Sequence, residues 1–321
     1  MSRPRSRVKP RRFLRFLKIY LIINLLLLIF AVIADRIWFQ GSGHPPPHLR
    51  IPGLFQPAPP IPGTVALLVN GAIRPGKNHP RYWNNLSLMY GTLRHLGFET
   101  IHVLNSDGTS PAPDRLKRAF LAFFPYGDTE DSPRDLDLDG HEDIDGPATR
   151  ECLEASLSGT GARLRSGDRL FLFFTNHGKL RFKHGRFSAV VRLWGDEISG
   201  SELDDLLRRT LPAETWVTVL ATQCWGERFL RAVKRPRTVL MAPGRPNWIW
   251  SDHDYSVFPF LFCKALLRRS PKTGETVRVD PGEDGYVSLR EAFEIARGWD
   301  HAPEWPIMWI NTDGSPLPFP F

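Results

Sequence analysis

The segment "RLFLFFTNHG", residues 169–178, decides the fold of this 321-residue chain. Its run of consecutive apolar residues is typical of a short β-strand that is covered by helices on both faces. The run stops at Thr175, and His177 and Gly178 follow shortly after it. Such an ending is either a turn with an incidental histidine or the end of a strand that presents a catalytic residue. The neighbouring strands decide between the two.

Four further segments have the same strand-like form. They are "TVALLVNG" (64–71), "TIHVLNS" (100–106), "WVTVLATQ" (216–223) and "RTVLMAPG" (237–244). Amphipathic stretches between and after these strands predict helices at 82–97, 147–161, 199–210, 225–234 and 254–269. This alternation predicts a three-layer α/β/α domain with a mostly parallel central sheet. In such sheets, ligands bind beyond the carboxyl ends of the strands.

A cysteine follows one of the neighbouring strands, as the histidine follows the segment at 169–176. His177 comes after the third predicted strand and Cys224 after the fourth, so both emerge at the same edge of the sheet. Alone, the histidine would be read as a turn residue and the cysteine as core packing. Together they predict a thiol–imidazole pair of the kind that cysteine hydrolases use.

Two features beside this pair also suit acyl-transfer chemistry. Gly178 has no side chain, so a substrate carbonyl could approach its backbone N–H as part of an oxyanion site. Cys224 opens "CWGERFLRAV", a predicted helix whose dipole is expected to lower the pKa of the thiol. His177 precedes Cys224 by 47 residues and Gly226 follows it by two, close to the local caspase signature.

These motifs resemble the caspase-like clan of cysteine peptidases, most closely its legumain branch, which includes the catalytic subunit of glycosylphosphatidylinositol transamidase. "FFTNHG" is similar to that family's strand ending in Asp-His-Gly, and "VLATQCWGERF" to its strand ending at the nucleophilic cysteine. The segments at 78–98 and 252–267 resemble the family's arginine-containing loop and helix, and the helix after its specificity loop. The resemblance covers roughly residues 64–270.

The resemblance implies a caspase-like fold and a role for each matching residue. It makes His177 and Cys224 the catalytic dyad and Gly178 part of the oxyanion site. It also implies candidates for the specificity pocket, which are Arg81 and, more weakly, Ser251 and Asp252.

The sequence departs from the family pattern at several positions near these motifs. Asn176 stands where Asp is common, and Tyr82 stands where the legumain pattern has a His beside the Arg. Thr222 and Gln223 replace the usual acidic and small residues before the cysteine. The dyad is untouched, but the sequence does not predict which residue would precede the cleaved bond.

The expected function is therefore that of a cysteine endopeptidase, or a transpeptidase, which acts on a protein or peptide through an acyl-enzyme. It requires no cofactor. The alternative is a non-catalytic caspase-fold module that binds peptides or serves as a scaffold. Retention of both His177 and Cys224 argues for the enzyme, because a module without catalysis has no need of both.

The segment "DLDLDGHEDIDG", residues 135–146, matches the start of an EF-hand-type calcium loop. The candidate ligands for a structural calcium ion are Asp135, Asp137, Asp139 and Asp143. The match is incomplete, because the twelfth position of the loop, where a bidentate Glu belongs, is Gly146. The alternative is a solvated acidic loop that precedes a helix, and both interpretations stay open.

The N-terminal region predicts a membrane anchor. Residues 1–18 form a tail with eight basic residues and no acidic one, and residues 19–39 form an apolar stretch that predicts a span of the lipid bilayer. The positive end is expected in the cytoplasm and the domain outside it, in the periplasm or extracellular space. The competing interpretation is a cleaved signal peptide.

The anchor is followed by a Pro/Gly-rich stretch, residues 40–63, which predicts a semi-extended stalk. The peptidase-like domain is expected over 64–300 and an irregular tail over 301–321. Without the basic tail, the remaining 34 Lys and Arg residues equal the 34 Asp and Glu residues, so the basic balance does not indicate a nucleic-acid partner. Three cysteines in an exported chain leave at least one thiol without an intramolecular disulfide.

Overall fold

The computed structural model describes residues 45–117, 128–183, 185–245, 249–252, 254–279 and 287–312, together with residues 20, 22, 25 and 26. The described strands are β1 (Ile61–Asn70), β2 (Phe98–Asn105), β3 (Arg115–Leu116), β4 (Thr129–Glu130), β5 (Arg169–Thr175), β6 (Gly178–Lys183), β7 (Arg186–Arg192), β8 (Glu197–Ser199), β9 (Trp216–Ala221), β10 (Thr238–Arg245) and β11 (Trp305–Asn311). The described α-helices are α1 (Pro80–His95), α2 (Arg150–Gly161), α3 (Gly200–Thr210), α4 (Gly226–Leu230), α5 (Val257–Leu267) and α6 (Leu289–Trp299).

The central sheet has six strands in the order β11-β10-β9-β5-β1-β2. All neighbouring pairs are parallel except β10 with β11, which is antiparallel. The prediction of an α/β fold with a mostly parallel sheet is confirmed. Because β2 lies on one side of β1 and β5 on the other, the strand order reverses there, which makes the carboxyl ends of β1 and β5 a topological switch point.

Helices cover both faces of this sheet, and β5 shows why its sequence is almost entirely apolar. Phe171 and Phe173 pack into a core that also contains buried residues of α1, α5 and α6. Leu170, Leu172 and Phe174 point the other way, into a core shared with α2, α3 and α4. Each strand face is therefore buried against helices, which removes the polar positions that a half-exposed strand would show.

Helix boundaries follow local chemistry. Helices α3 and α6 each begin with a capping box, Ser199 with Glu202 and Ser288 with Glu291. Helix α4 is only five residues long, whereas the sequence predicts a helix over 225–234. Beyond Leu230 the chain tightens into i to i−3 hydrogen bonds, from the Ala232 N–H to the Phe229 carbonyl and from the Val233 N–H to the Leu230 carbonyl, and the Lys234 and Arg235 N–H groups donate to an Asp204 carboxylate.

Two regions differ from the sequence prediction. Strands β6, β7 and β8 form a separate three-stranded antiparallel sheet directly after the predicted histidine, which the sequence patterns did not reveal. The prediction of an irregular tail over 301–321 was wrong for Trp305–Asn311, because this segment pairs with β10 as the edge strand β11. The described domain therefore extends to residue 312.

The predicted stalk also differs from the structure, because part of residues 40–63 packs onto the domain. Leu54 is 2% exposed and His48 is 1% exposed. His48 Nδ1 lies 2.6 Å from the Tyr255 hydroxyl and its Nε2 lies 2.8 Å from Ser87 Oγ. Burial lowers the pKa of His48 to about 3, so the ring is neutral and can both donate and accept. This imidazole fixes the segment before β1 to α1 and to the loop before α5.

The predicted basic tail and membrane span lie almost wholly outside the described residues. Among the residues that are described, no helix has the length and apolar character needed to cross a bilayer.

The His48 contacts predict a clear effect on stability. His48→Ala should lower the free energy of unfolding by about 2–4 kcal/mol, because a cavity forms and two buried hydroxyls lose a partner. The matched control is His141→Ala, since His141 is exposed. Denaturant unfolding of both variants measures the difference, and an equal effect of the two substitutions would contradict this role for His48.

Candidate active site

The switch point is held together by a network of buried asparagine side chains. Asn70, at the end of β1, lies in register with Asn105 of β2 and Thr175 of β5. Its Nδ2 donates to Asn105 Oδ1 at 2.8 Å, and its Oδ1 accepts from Asn176 Nδ2 at 2.7 Å. Asn78, in the loop before α1, joins the network through Asn70 and Ser106. These buried side chains satisfy most of one another's polar atoms, although Asn105 Nδ2 has no partner among the described residues.

This network explains Asn176, the residue that departs from the family pattern directly before the histidine. Asn176 has a positive φ of 106°, a conformation that few residues other than glycine and asparagine adopt. Its Oδ1 accepts a 2.7 Å hydrogen bond from the His177 backbone N–H while its Nδ2 reaches Asn70. An aspartate could accept the first bond but could not donate the second. No local sequence pattern indicates this role, because the partner lies 106 residues earlier.

Cys224 follows β9 in a tight turn that is tied to β5. The Thr222 N–H donates to the Phe174 carbonyl at 2.9 Å, which continues the parallel ladder past the end of the strand. Trp225 then takes a left-handed conformation with φ of 63°. Cys224 is left half-buried between these two residues, with a free thiol.

The residue after the histidine touches the main chain of the cysteine. A Cβ atom added to Gly178 would lie 2.0 Å from the Cys224 carbonyl oxygen and 2.7 Å from Gln223 Cγ. No other residue type fits at this spacing without movement of the backbone. The structure therefore brings together the segments that carry His177 and Cys224, as the sequence predicts.

The imidazole of His177 is fixed in one orientation. Its Nε2 lies 2.9 Å from the Lys77 carbonyl oxygen and its Nδ1 lies 3.5 Å from the Tyr82 hydroxyl. A carbonyl only accepts, so Nε2 carries the proton and the lone pair of the neutral ring is on Nδ1. Burial, together with the nearby Arg81 and Lys77 charges, lowers the pKa of His177 to about 4. The ring is therefore neutral near pH 7 and can act as a base through Nδ1.

Burial also has the largest effect on the pKa of the Cys224 thiol. It raises the pKa of Cys224, while a hydrogen bond with the Ile249 backbone and the Arg81 charge lower it by less. The expectation of a helix-activated thiolate was wrong, because α4 is a single short turn that starts two residues after Cys224. The free site thus holds a neutral thiol and a neutral imidazole. Tyr82 lies beside both groups, since the Cys224 charge also acts to raise the pKa of Tyr82.

Of the predicted pocket residues, the structure brings one to the thiol. Arg81 is near enough to Cys224 to shift its pKa, and its guanidinium carbon lies 4.7 Å from the centre of the Tyr82 ring. Its buried Nε has no hydrogen-bond partner, and among the described residues it forms no ion pair with a carboxylate. Asp252 instead pairs with Lys272 at 2.6 Å, and Ser251 forms a β-bridge with Ser256.

The acidic loop lies away from these residues, packed on α1. Asp135, Asp137 and Asp143 can each offer one oxygen atom within 4.8 Å of the others. Arg94 of α1 forms ion pairs with Asp137 and Asp139, and it supplies part of the positive charge that a cation would bring. Calcium takes six to eight oxygen ligands, so three converging carboxylates fit only part of such a site. Structural calcium stays a prediction.

A carboxyl pair near the thiol, formed by buried Glu304 and half-buried Asp300, was missed by sequence reasoning. Glu304 is 2% exposed, and its Oε2 accepts from the Trp250 N–H at 3.4 Å. Its Oε1 and Asp300 Oδ2 are both buried without a donor in their ionised forms, and the two side chains hydrogen-bond to each other when one proton is present. Burial and the Asp300 charge raise the pKa of Glu304 to about 8. The Glu304 charge in turn acts on Cys224.

Comparisons with known proteins add little to this geometry. No model of a known protein family matches the chain, and no curated protein matches it either. Among solved structures, the chain is similar to the crystal structure of a structural-genomics protein from Geobacter sulfurreducens, with 11% sequence identity and a TM-score of 0.48. That match covers 78% of this chain and 95% of the other. A likeness this distant carries no information about function.

The Gly178 contact leads to a prediction about thiol reactivity. Gly178→Ala should force the His177 and Cys224 segments apart and slow alkylation of Cys224 by iodoacetamide at least roughly tenfold, because the base is misplaced. Gly159→Ala is the matched control, since a Cβ at Gly159 meets nothing within 4 Å. Peptide-resolved mass spectrometry follows the rate, and an unchanged rate in Gly178→Ala would contradict the close approach.

The carboxyl pair leads to a prediction about pH. Glu304 should lose its proton at pH 4.5 in the unfolded chain but only near pH 8 in the folded protein. The folded state binds more protons between these values, so the free energy of unfolding should fall as pH rises through this window. Glu304→Gln keeps the hydrogen bonds and should flatten that fall. Denaturant unfolding at several pH values measures it, and an identical pH dependence in both proteins would refute the assignment.

Proposed function

We propose that this protein is a membrane-anchored cysteine endopeptidase or transpeptidase with a His177–Cys224 dyad, of the legumain-like branch of the caspase-like clan. The observation that carries the proposal is the contact between Gly178 and the Cys224 carbonyl, which sets the two strand ends side by side. The sheet order and the single antiparallel edge strand agree with a caspase-like architecture.

The neutral pair suggests how the reaction begins. His177 Nδ1 accepts the thiol proton as the Cys224 sulfur attacks the scissile carbonyl. Nε2 keeps its own proton and continues to donate it to the Lys77 carbonyl oxygen. The contact between Nδ1 and Tyr82 is long at 3.5 Å, so the hydroxyl competes only weakly for the lone pair. The imidazolium then protonates the leaving amine, and an acyl-enzyme remains. Water or a second amine releases the acyl group.

The surroundings of the thiol favour a substrate with an acidic side chain beside the cleaved bond. Arg81 is near the thiol and has no carboxylate partner among the described residues, so a substrate carboxylate can supply one. Trp305 follows Glu304 directly in the sequence and is 69% exposed. Trp250 donates its backbone N–H to Glu304 and is 46% exposed. Exposed indole rings at this edge offer apolar contacts to an extended peptide.

The proposal includes the predicted location. The apolar stretch over 19–39 would anchor the chain in the bilayer with its basic tail in the cytoplasm, and the domain would act on the opposite side. The alternative is a non-catalytic peptide-binding module on the same scaffold. The two proposals differ in whether a peptide is consumed.

Turnover of a fluorogenic peptide library by the full chain tests the enzyme. Cys224→Ala and His177→Ala should each lower the turnover rate roughly a thousandfold or more, because both act in one chemical step. Cys152→Ala and His141→Ala are matched controls outside the site and should leave the rate unchanged. The library varies the residue before the cleaved bond, so the same assay reads the expected preference for an acidic side chain.

Two outcomes would refute the proposed enzyme activity of the His177–Cys224 dyad. Turnover that survives Cys224→Ala would show that another group performs the chemistry. Binding of library peptides without any cleavage, by the folded wild-type chain, would favour the non-catalytic module.

A further inference from the structure

The hairpin formed by β6 and β7 presents two aromatic side chains to solvent at its tip. Phe182 of β6 pairs in register with Phe187 of β7, and their ring centres lie 4.8 Å apart. Phe182 is 63% exposed and Phe187 is 59% exposed. Single exposed apolar residues are common on protein surfaces, but two large rings side by side on a protruding turn form a small apolar patch that water does not favour.

The charges of the hairpin are sorted along its length. Residues 178–192 contain five Lys and Arg residues and no Asp or Glu. The three basic residues at its base all form ion pairs with Glu197, and these are Lys179, Arg181 and Arg192. The two at its tip, Lys183 and Arg186, are exposed and form no ion pair within the part of the chain that the structure describes. The fold thus provides a carboxylate partner for the basic residues at the base and leaves positive charge without one beside the exposed phenylalanines.

We infer that this tip, residues 182, 183 and 185–187, docks onto an anionic lipid surface. Aromatic rings enter the boundary between headgroups and acyl chains, and neighbouring basic side chains bind the anionic headgroups. The tip supplies both on two strands held in fixed register. Its charge complements an anionic bilayer, whereas a second copy of this chain would bring another positive tip against it.

The short distance along the chain between the predicted span and the domain also favours a lipid surface as the docking partner. Residues 40–44 are all that separates the predicted span from Pro45, where the described domain begins. Five extended residues reach at most about 18 Å, so an anchored domain stays beside the bilayer. Tethering of this kind raises the effective concentration of the surface, and a weak contact is then sufficient for docking.

Docking would also orient the candidate site, a consequence that rests on the proposed function. The hairpin starts at Gly178, directly after His177, so a docked tip holds the carboxyl edge of the sheet in a fixed relation to the membrane. Substrates bound to or inserted in the same membrane would then reach the site in preference to free peptides.

Hydrogen exchange of the full chain reconstituted into vesicles tests the docking without any measure of catalysis. One set of vesicles contains phosphatidylcholine alone and the other contains phosphatidylcholine mixed with phosphatidylserine. The N-terminal segment is present in every sample. A difference in hydrogen exchange between the two kinds of vesicle therefore reports on the domain. We expect slower exchange of the amides of residues 179–188 in the anionic vesicles only.

Two double variants identify the groups responsible. Lys183→Gln with Arg186→Gln should lower the docking equilibrium constant roughly 25-fold, since each basic residue near an anionic surface contributes about fivefold. Phe182→Ser with Phe187→Ser should abolish the slowing while retaining the charge. The matched control is Arg163→Gln with Arg165→Gln, which removes the same charge from exposed positions just before β5, at the opposite edge of the sheet.

Three results would overturn the inference. They are hairpin exchange that is the same in both vesicles, slowing that survives neutralisation of both tip charges, and slowing that depends on protein concentration without lipid. The last would identify the tip as an interface between copies of the chain. Loss of peptide turnover in the dyad variants bears on none of these outcomes, so the two proposals fail independently.

Discussion

The candidate site depends on the parallel pairing of β5 with β9. Phe174 lies in register with Ala221, and the Thr222 N–H and hydroxyl both donate to the Phe174 carbonyl beyond the last strand pair. His177 and Cys224 each follow three residues after that register pair, so one ladder sets the distance between the two segments. Loss of this register would separate every group that the proposed chemistry uses.

The edge of the sheet is polar, buried and organised in advance, which a catalytic constellation needs. The asparagine network fixes the backbone N–H of His177, and the Lys77 carbonyl fixes its ring. Burial keeps the imidazole and the thiol neutral together, so the two groups form no ion pair; in the proposed reaction the proton moves only when the sulfur attacks a substrate. Arg81, which has no carboxylate partner among the described residues, and the carboxyl pair at Glu304 both act on the pKa of Cys224.

The sequence predicted the features that depend on local pattern. Strands covered on both faces are continuous apolar runs, so the sequence predicted the strands of the sheet. Residues that follow parallel strands lie at the same edge of a sheet, so the sequence also predicted that His177 and Cys224 lie close together. Features made by distant residues were not readable. The partner of Asn176 lies on another strand, Glu304 comes 80 residues after Cys224, and burial of the thiol, which reverses the expected pKa shift, depends on packing.

The most direct test of the account is covalent capture of the thiol. A peptidyl acyloxymethyl ketone, followed by mass spectrometry of the protein and its peptides, should label Cys224 and leave Cys152 and Cys263 unmodified. His177→Ala should abolish that adduct in a protein that is still folded, because no base then accepts the thiol proton as the Cys224 sulfur attacks. Labelling spread over the three thiols, or labelling of Cys224 that is indifferent to His177→Ala, would contradict the dyad.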